Sequence, residues 1–359
     1  MEKEEKEEEK EEKKEKKRRK KRRRRGKAEE EIKKEIFIPL NLTEVEVNQY
    51  LNTMKALKNV DVYFELDVSN KNLTNVSVIP RFFKFLRHVN VSENRLTSEA
   101  LRVLEEMDLV ELRADKNWLT TAKLNPMKFL ETLTMNNNKL TSANTDDISH
   151  EQLTKLELKE NLISTVEFMN EKLPKLLKLE LSGNALTTMA GKMKSTSEHL
   201  ISLLLKGIFS STLTELYLDK NKIENIENLR ELPNLTKLSL ESNQIENLNG
   251  LSMQCLKLEY INLGDNNISK VSEFVKLSCL PCLKKLIILK NPFLEIILED
   301  EEGKRYRLIV LMMLPNLIKI DNIPVKDEEK IKAKELLDET HERGYGFKNY
   351  DLEKFAFRN

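Results

Sequence analysis

Residues 153–163 read LTKLELKENLI, and residues 176–186 repeat the phrase as LLKLELSGNAL. Leu153, Leu156, Leu158, Asn161 and Ile163 fall on the same places as Leu176, Leu179, Leu181, Asn184 and Leu186. The pattern L-x-x-L-x-L-x-x-N-x-L spreads in both directions from this pair. Downstream it recurs from Leu213 with Asn221, Leu235 with Asn243, Leu258 with Asn266 and Leu283 with Asn291. Upstream it recurs from Leu130 with Asn138 and, more loosely, from Leu109 with Asn117 and Leu86 with Asn94. The first and weakest copy starts at Tyr63 and carries Lys71 in the asparagine place. Asn117 to Asn138 is 21 residues, and Asn138 to Asn161 and Asn161 to Asn184 are 23 each.

A period of roughly 20–29 residues with this consensus is the signature of a leucine-rich repeat. Alternating L-x-L places the leucines on one face of a short strand. Stacking such strands at about 4.8 Å gives an α/β solenoid, a curved parallel sheet of about ten repeats roughly 45 Å long. The asparagine amide both donates and accepts, so it suits backbone groups buried where the chain leaves the sheet. Asn184 to Asn221 spans 37 residues, so the repeat is enlarged, with the extra material within 187–212. It reads as a looped or helical insertion on one face, as a degenerate further repeat, or as a grafted binding element.

The ends of a repeat stack need caps. Thr43-Glu44-Val45-Glu46 is a capping box, and Val47, Tyr50, Leu51, Met54 and Leu57 follow at helical spacing, which predicts a capping helix over about 43–57. Leu314-Pro315-Asn316-Leu317 and Ile320-Asp321 read as a closing half-repeat, and Asp327-Glu328-Glu329 as the start of a cap helix that Gly344 stops. The reading is a tail at 1–35, a repeat domain at 36–325, a cap helix at 326–344 and an aromatic segment at 345–359.

The rest of the sequence restricts the chemistry. Charged residues are 34% of the 359 and hydrophobic ones 39%, with a net charge of +1 that hides a basic run at Lys13–Arg25. That run predicts a disordered or singly helical arm able to contact polyanions. No apolar leader opens the sequence and no stretch is long enough to span a membrane, so the three cysteines are expected as reduced thiols in an intracellular protein. Cys279-Leu280-Pro281-Cys282 is a lone C-x-x-C with too few partners for zinc. His88, His150, His199 and His341 are scattered, and no glycine-rich phosphate loop occurs. No enzyme, cofactor, metal or small-molecule substrate is expected.

The informative surface is then the concave sheet face. Arg113, Asp115, Asn136, Glu157, Lys159, Glu180, Tyr217, Asp219 and Glu241 flank the inward leucines and are the candidate contacts to a protein partner. A second candidate is the C-terminal segment, whose Tyr345, Phe347, Tyr350, Phe355 and Phe357 form an aromatic docking tail.

Several stretches carry a more specific likeness. They are Asn41-Leu42-Thr43-Glu44, Ile148-Ser149-His150 before Leu153–Asn161, and LSCLPCLKKLIILKNP at Leu277–Pro292 with Tyr306-Arg307 and Leu314–Asp321 after it. Over roughly residues 36–343 the chain resembles the leucine-rich repeat-containing protein 23 family, components of ciliary and flagellar radial spokes. The resemblance implies a non-catalytic structural subunit of the axoneme, placed in cytoplasm and cytoskeleton and contacting other spoke proteins. The basic Lys13–Arg25 run, the enlarged repeat and the short aromatic C-terminus depart from the family pattern. The competing class is an intracellular repeat adaptor, a phosphatase regulator or a nuclear RNA-particle subunit, for which the basic run would fit a nuclear address.

Overall fold

The structure, a computed structural model, describes residues 40–57, 60–144, 147–167, 172–189, 210–227, 229–251, 255–297 and 305–342. The arm with Lys13–Arg25, most of the 187–212 segment and the 345–359 segment lie outside them. No described helix is long and apolar enough to cross a membrane.

The chain enters through helix α1 (Glu44–Gln49) and then strands β1 (Leu51–Leu57) and β2 (Val60–Asp67). Helix α2 (Val78–Phe82), β3 (His88–Asn90), helix α3 (Ser98–Arg102), β4 (Glu111–Arg113) and β5 (Thr132–Thr134) follow. Next come β6 (Ser142–Asn144), β7 (Lys155–Glu157), β8 (Thr165–Glu167), β9 (Lys178–Glu180) and β10 (Glu215–Tyr217). The last strands of the repeats are β11 (Lys237–Ser239), β12 (Tyr260–Asn262) and β13 (Lys285–Ile287). The chain closes with α4 (Pro292–Ile297), α5 (Arg305–Met313), β14 (Lys319–Ile320), β15 (Ile323–Pro324) and α6 (Asp327–Glu342).

Thirteen strands form one sheet in the order β1-β2-β3-β4-β5-β7-β9-β10-β11-β12-β13-β14-β15, and β6 and β8 form a small second sheet from two return limbs. From β2 to β14 every pairing in the large sheet is parallel, with a Leu, Val or Ile opposite another at its centre, as in Leu112↔Leu133, Leu156↔Leu179 and Leu216↔Leu238. β9 pairs directly with β10, Leu179 opposite Leu216, so the enlarged repeat inserts no strand between them. The inward leucines are fully buried and belong to one continuous core from Leu42 to Ala333.

The asparagines perform the role expected of them. Asn138 Oδ1 accepts the amides of Asn117 and Leu119 in the preceding turn, both at 3.1 Å. Its Nδ2 donates to the carbonyls of Ala114, Met135 and Asn136. Asn161 repeats this with Leu140 and with Met135, Leu158 and Lys159. Each asparagine therefore bridges two turns and satisfies groups that water cannot reach. Lys71 breaks the pattern where there is no earlier repeat to bridge to; its Nζ lies 4.5 Å from the Tyr50 ring centroid instead. The residue before each asparagine is left-handed, at φ 57° for Glu93, 51° for Lys116, 51° for Glu160 and 52° for Lys220.

The N-terminal cap differs from the sequence reading. The capping box is present, with Thr43 Oγ1 accepting from the Glu46 amide and the Glu46 carboxylate accepting from the Thr43 amide. The helix, however, ends at Gln49, and Leu51–Leu57, with Met54 in its middle, runs as β1 antiparallel to β2. A helix cannot supply the N–H and C=O groups that the open edge of β2 needs; a strand can. Val47 is buried and Tyr50 is half-buried against the core, as expected for cap residues.

The C-terminal cap is a polar lock. Asp321 replaces the asparagine: its Oδ1 accepts the Ile288 and Leu289 amides and its Oδ2 accepts the Tyr306 hydroxyl at 2.8 Å. Buried Arg307 donates to both carboxylate oxygens of Glu329 on α6, and to the carbonyls of Ile320 and Pro324. Phe274 packs edge-on against Phe293 at 5.0 Å beneath it.

Candidate functional site

The side chains that alternate with the core leucines all reach the outer face of the sheet, and the strand spacing stacks them into three rows. In the row just past each strand, five acceptor side chains take the backbone amide of the next repeat. Ser92 accepts from the Asp115 amide at 3.1 Å, Asp115 from Asn136 at 2.6 Å and Asn136 from Lys159 at 2.8 Å. A lysine cannot accept, so the relay stops at Lys159 and the Ser182 amide turns to Glu180 of its own repeat. It resumes from Ser182 to Asp219 and from Asp219 to Glu241.

This relay changes the role of several expected contact residues. Asp115 also accepts from the Thr134 hydroxyl, and Asp219 from the Ser239 hydroxyl at 2.5 Å. Burial pushes both carboxyls up, Asp115 and Asp219 alike, against the hydrogen bonds that lower them. Glu180, read from the sequence as facing a partner, is buried and bound by the Ser182 hydroxyl at 2.6 Å, with its carboxyl likewise pushed up by burial. Asp115 and Asp219 hold neighbouring repeats together, and Glu180 braces the turn of its own repeat, more than they face a partner. The reason is geometric: at strand spacing a short acceptor meets the next backbone amide before it meets water.

The remaining candidates are exposed or half-buried. Arg113 is exposed and donates to Glu111 at 2.7 Å. Glu157 sits between Lys155 at 2.9 Å and Lys178 at 3.4 Å. Burial alone would raise its carboxyl; the bond and charge of Lys155, with Asn136 and Lys178, outweigh that and hold it at about 2. Lys159 is half-buried, with its Nζ 3.9 Å from Glu180. The Tyr217 ring lies 5.1 Å below the Lys178 ammonium, and its hydroxyl donates to Glu215. Glu241 accepts from the Asn262 side-chain Nδ2 at 2.9 Å.

Sequence reading missed the first two repeats of this face. Glu65, Asp67, His88, Asn90, Glu111 and Arg113 line a recess of about 200 Å³. Within it Asn90 donates to Asp67, and His88 Nδ1 lies 3.2 Å from Glu111. The signal was the same alternation one and two repeats earlier, obscured by the weak first copy. Of the thiols, Cys255 is buried, Cys279 half-buried and Cys282 exposed. The arm at Lys13–Arg25 and the tail residues Tyr345, Phe347, Tyr350, Phe355 and Phe357 lie outside the described residues.

A face of polar and charged side chains on a rigid sheet can bind a protein surface. Comparison with known proteins agrees on the repeat. The family model described as Leucine Rich repeats (2 copies) matches residues 211–253. Leucine-rich repeat-containing protein 23 of Bos taurus is 32% identical over 76% of this chain and 72% of its own length. The Homo sapiens protein is 32% identical over 83% and 80%, and the Mus musculus protein 32% over 86% and 84%. Among solved structures, the leucine-rich repeat domain of APL1B superposes with a TM-score of 0.47 at 23% identity, covering 64% of this chain and 61% of that one.

Proposed function

The chain belongs to the leucine-rich repeat-containing protein 23 family, and on that premise we propose that it is a structural subunit of the ciliary and flagellar axoneme, packed by protein contacts within the radial spokes. The coarser statement needs no proposal: a leucine-rich-repeat solenoid of this family is a scaffold for protein interaction. The observation that carries the axonemal reading is the family likeness itself, which runs through nearly the whole repeat stack and not through one repeat alone. The polar sheet face around Arg113, Glu157, Lys159, Tyr217 and Glu241 is where a spoke partner docks. The Lys13–Arg25 run contacts polyanions such as tubulin tails, and its binding weakens steeply with salt. The segment holding Tyr345, Phe347, Tyr350, Phe355 and Phe357 is a second docking element.

The test is a tagged full-length chain in ciliated cells, followed by crosslinking of isolated axonemes. Axonemal signal with crosslinks to spoke subunits supports the reading. Nuclear signal without axonemal signal overturns it in favour of a nuclear adaptor. Truncation after Gly344 should leave the melting temperature unchanged and abolish capture of spoke proteins; a melting temperature lowered by several degrees with capture retained would refute the docking role.

A further inference from the structure

One more row of side chains runs along the loop edge of the stack, at the residue after each conserved asparagine. Its backbone is fixed by a second hydrogen-bond ladder outside the sheet. Arg95 N donates to Leu73 O at 2.8 Å, Trp118 to Leu96 at 3.0 Å, Lys139 to Leu119 at 2.8 Å and Leu162 to Leu140 at 2.8 Å. The side chains therefore follow one another at the strand spacing of about 4.8 Å, in the order guanidinium, indole, ammonium, isobutyl.

Trp118 is the only tryptophan in the chain and is 41% exposed. The Arg95 guanidinium lies 5.9 Å from its ring centroid, and so does the Lys139 ammonium. Neither cation has a carboxylate partner among the described residues, whereas most neighbouring charges do: Lys116 pairs with Glu93 at 2.7 Å one row away. The Glu160 carboxylate, which bounds the row, lies over Gly183 in the space a Cβ there would fill. Leu162 adds an apolar surface, 58% exposed. A large aromatic held between two cations without counter-charges has the composition of an interface anchor.

We propose that Arg95, Trp118 and Lys139 form a docking site for an acidic segment of a partner protein, with carboxylates on the two cations and an apolar side chain over Trp118 and Leu162. In an extended segment alternate residues share a face roughly 6.8 Å apart, which lets two glutamates straddle one indole. A nucleic-acid backbone would require the cations to continue along the row, but the next positions are Asn72 on one side and Leu162 and Ala185 on the other. The site rests on the scaffold reading and is independent of the axonemal one.

Because Trp118 is the sole tryptophan, its emission in the purified full-length chain reports this site and no other. The probe is a synthetic decapeptide with glutamate at alternate positions, one central leucine and serine elsewhere; its control carries glutamine for glutamate. The acidic peptide should shift the emission to the blue and saturate, with an affinity that falls as salt is added; the glutamine peptide should not. Arg95→Gln with Lys139→Gln should weaken binding on the order of tenfold while the melting temperature holds. Peptide captured by the Lys13–Arg25 run leaves the emission unmoved. An emission that never responds to the acidic peptide, or a double variant that binds it as tightly as the parent, overturns the site. Either result leaves the axonemal localisation test standing, and a nuclear localisation would leave this one standing.

Discussion

The asparagine is the residue on which each repeat turns, and its cost of removal follows from its partners. Asn138→Ala strands the Asn117 and Leu119 amides in the core, since the carbonyls that Asn138 serves keep other donors. It should lower stability by about 3 kcal/mol, read as a shift in the urea midpoint. His150 was visible in the sequence only as a scattered histidine; the structure gives it a job. It is fully buried, and its Nδ1 accepts the Met127 amide at 3.0 Å, so the ring proton sits on Nε2, which has no partner among the described residues. A proton added at Nδ1 would face that amide hydrogen. Burial accordingly lowers the ring to about 4 from the ordinary 6.5, against the pull of Glu105. The unfolded chain takes up the proton first as pH falls, so this contribution is complete above pH 6.5, declines toward pH 4 and is level below it. It amounts to about 3 kcal/mol. Urea titrations of the parent and His150→Gln at pH 7, 5.5 and 4.5 should show the parent losing its advantage across that window; parallel curves would refute it.

At the level of elements, the strands and the cap helix α6 were legible because leucine alternation and the Asp327-Glu328-Glu329 start are local signals. The N-terminal cap was not. Val47, Tyr50, Leu51, Met54 and Leu57 fit a helical stripe, yet Leu51 and Leu57 also fit a strand, and only the unpaired edge of β2 decides between them. The Arg307 lock was likewise hidden, since nothing near Arg307 in the sequence announces Glu329 twenty-two residues on. It ties α5, the β14–β15 hairpin and α6 together through one guanidinium. Its bonds, with burial opposing, hold the Glu329 carboxyl below its ordinary range. Arg307→Ala should cost about 3–5 kcal/mol, because it abandons a partly buried carboxylate. Arg307→Met with Glu329→Leu should recover most of that, and a thermal melt of the pair of variants distinguishes a charge lock from simple packing.

The whole stack has unlike ends. β1 and β2 are seven and eight residues long, and β3 pairs only with Glu65–Asp67, so the far half of that hairpin has just two strands. Two strands alone are marginally stable in water. At the other end β15 is two residues, is blunted by Pro324 and is tied to α5 by Arg307, which donates to the Pro324 carbonyl. Hydrogen exchange should therefore begin in β1 and distal β2 and arrive last in the middle strands β5 to β11; uniform protection along the stack would contradict this. The sequence made the repeat count and the outer-face positions readable, because both depend on period alone. It concealed which outer side chains accept a backbone amide of the next repeat, because that depends on what lies one strand away: Asp115 and Asp219 meet such an amide, and Glu241 meets the Asn262 side chain.

The unlike ends also set how the molecule would bear load. Drawn apart by residues 40 and 342, the stack presents two different joints. The antiparallel β1–β2 joint opens like a zipper, one rung after another at low force. The α5–α6 joint must break the Arg307–Glu329 pair and the packing of two helices at once. Under tension the protein would yield from its N-terminal end in small steps and hold at the other. In an optical trap the first extension should be short and reversible, and Arg307→Ala should lower the later, larger rip while leaving the first unchanged.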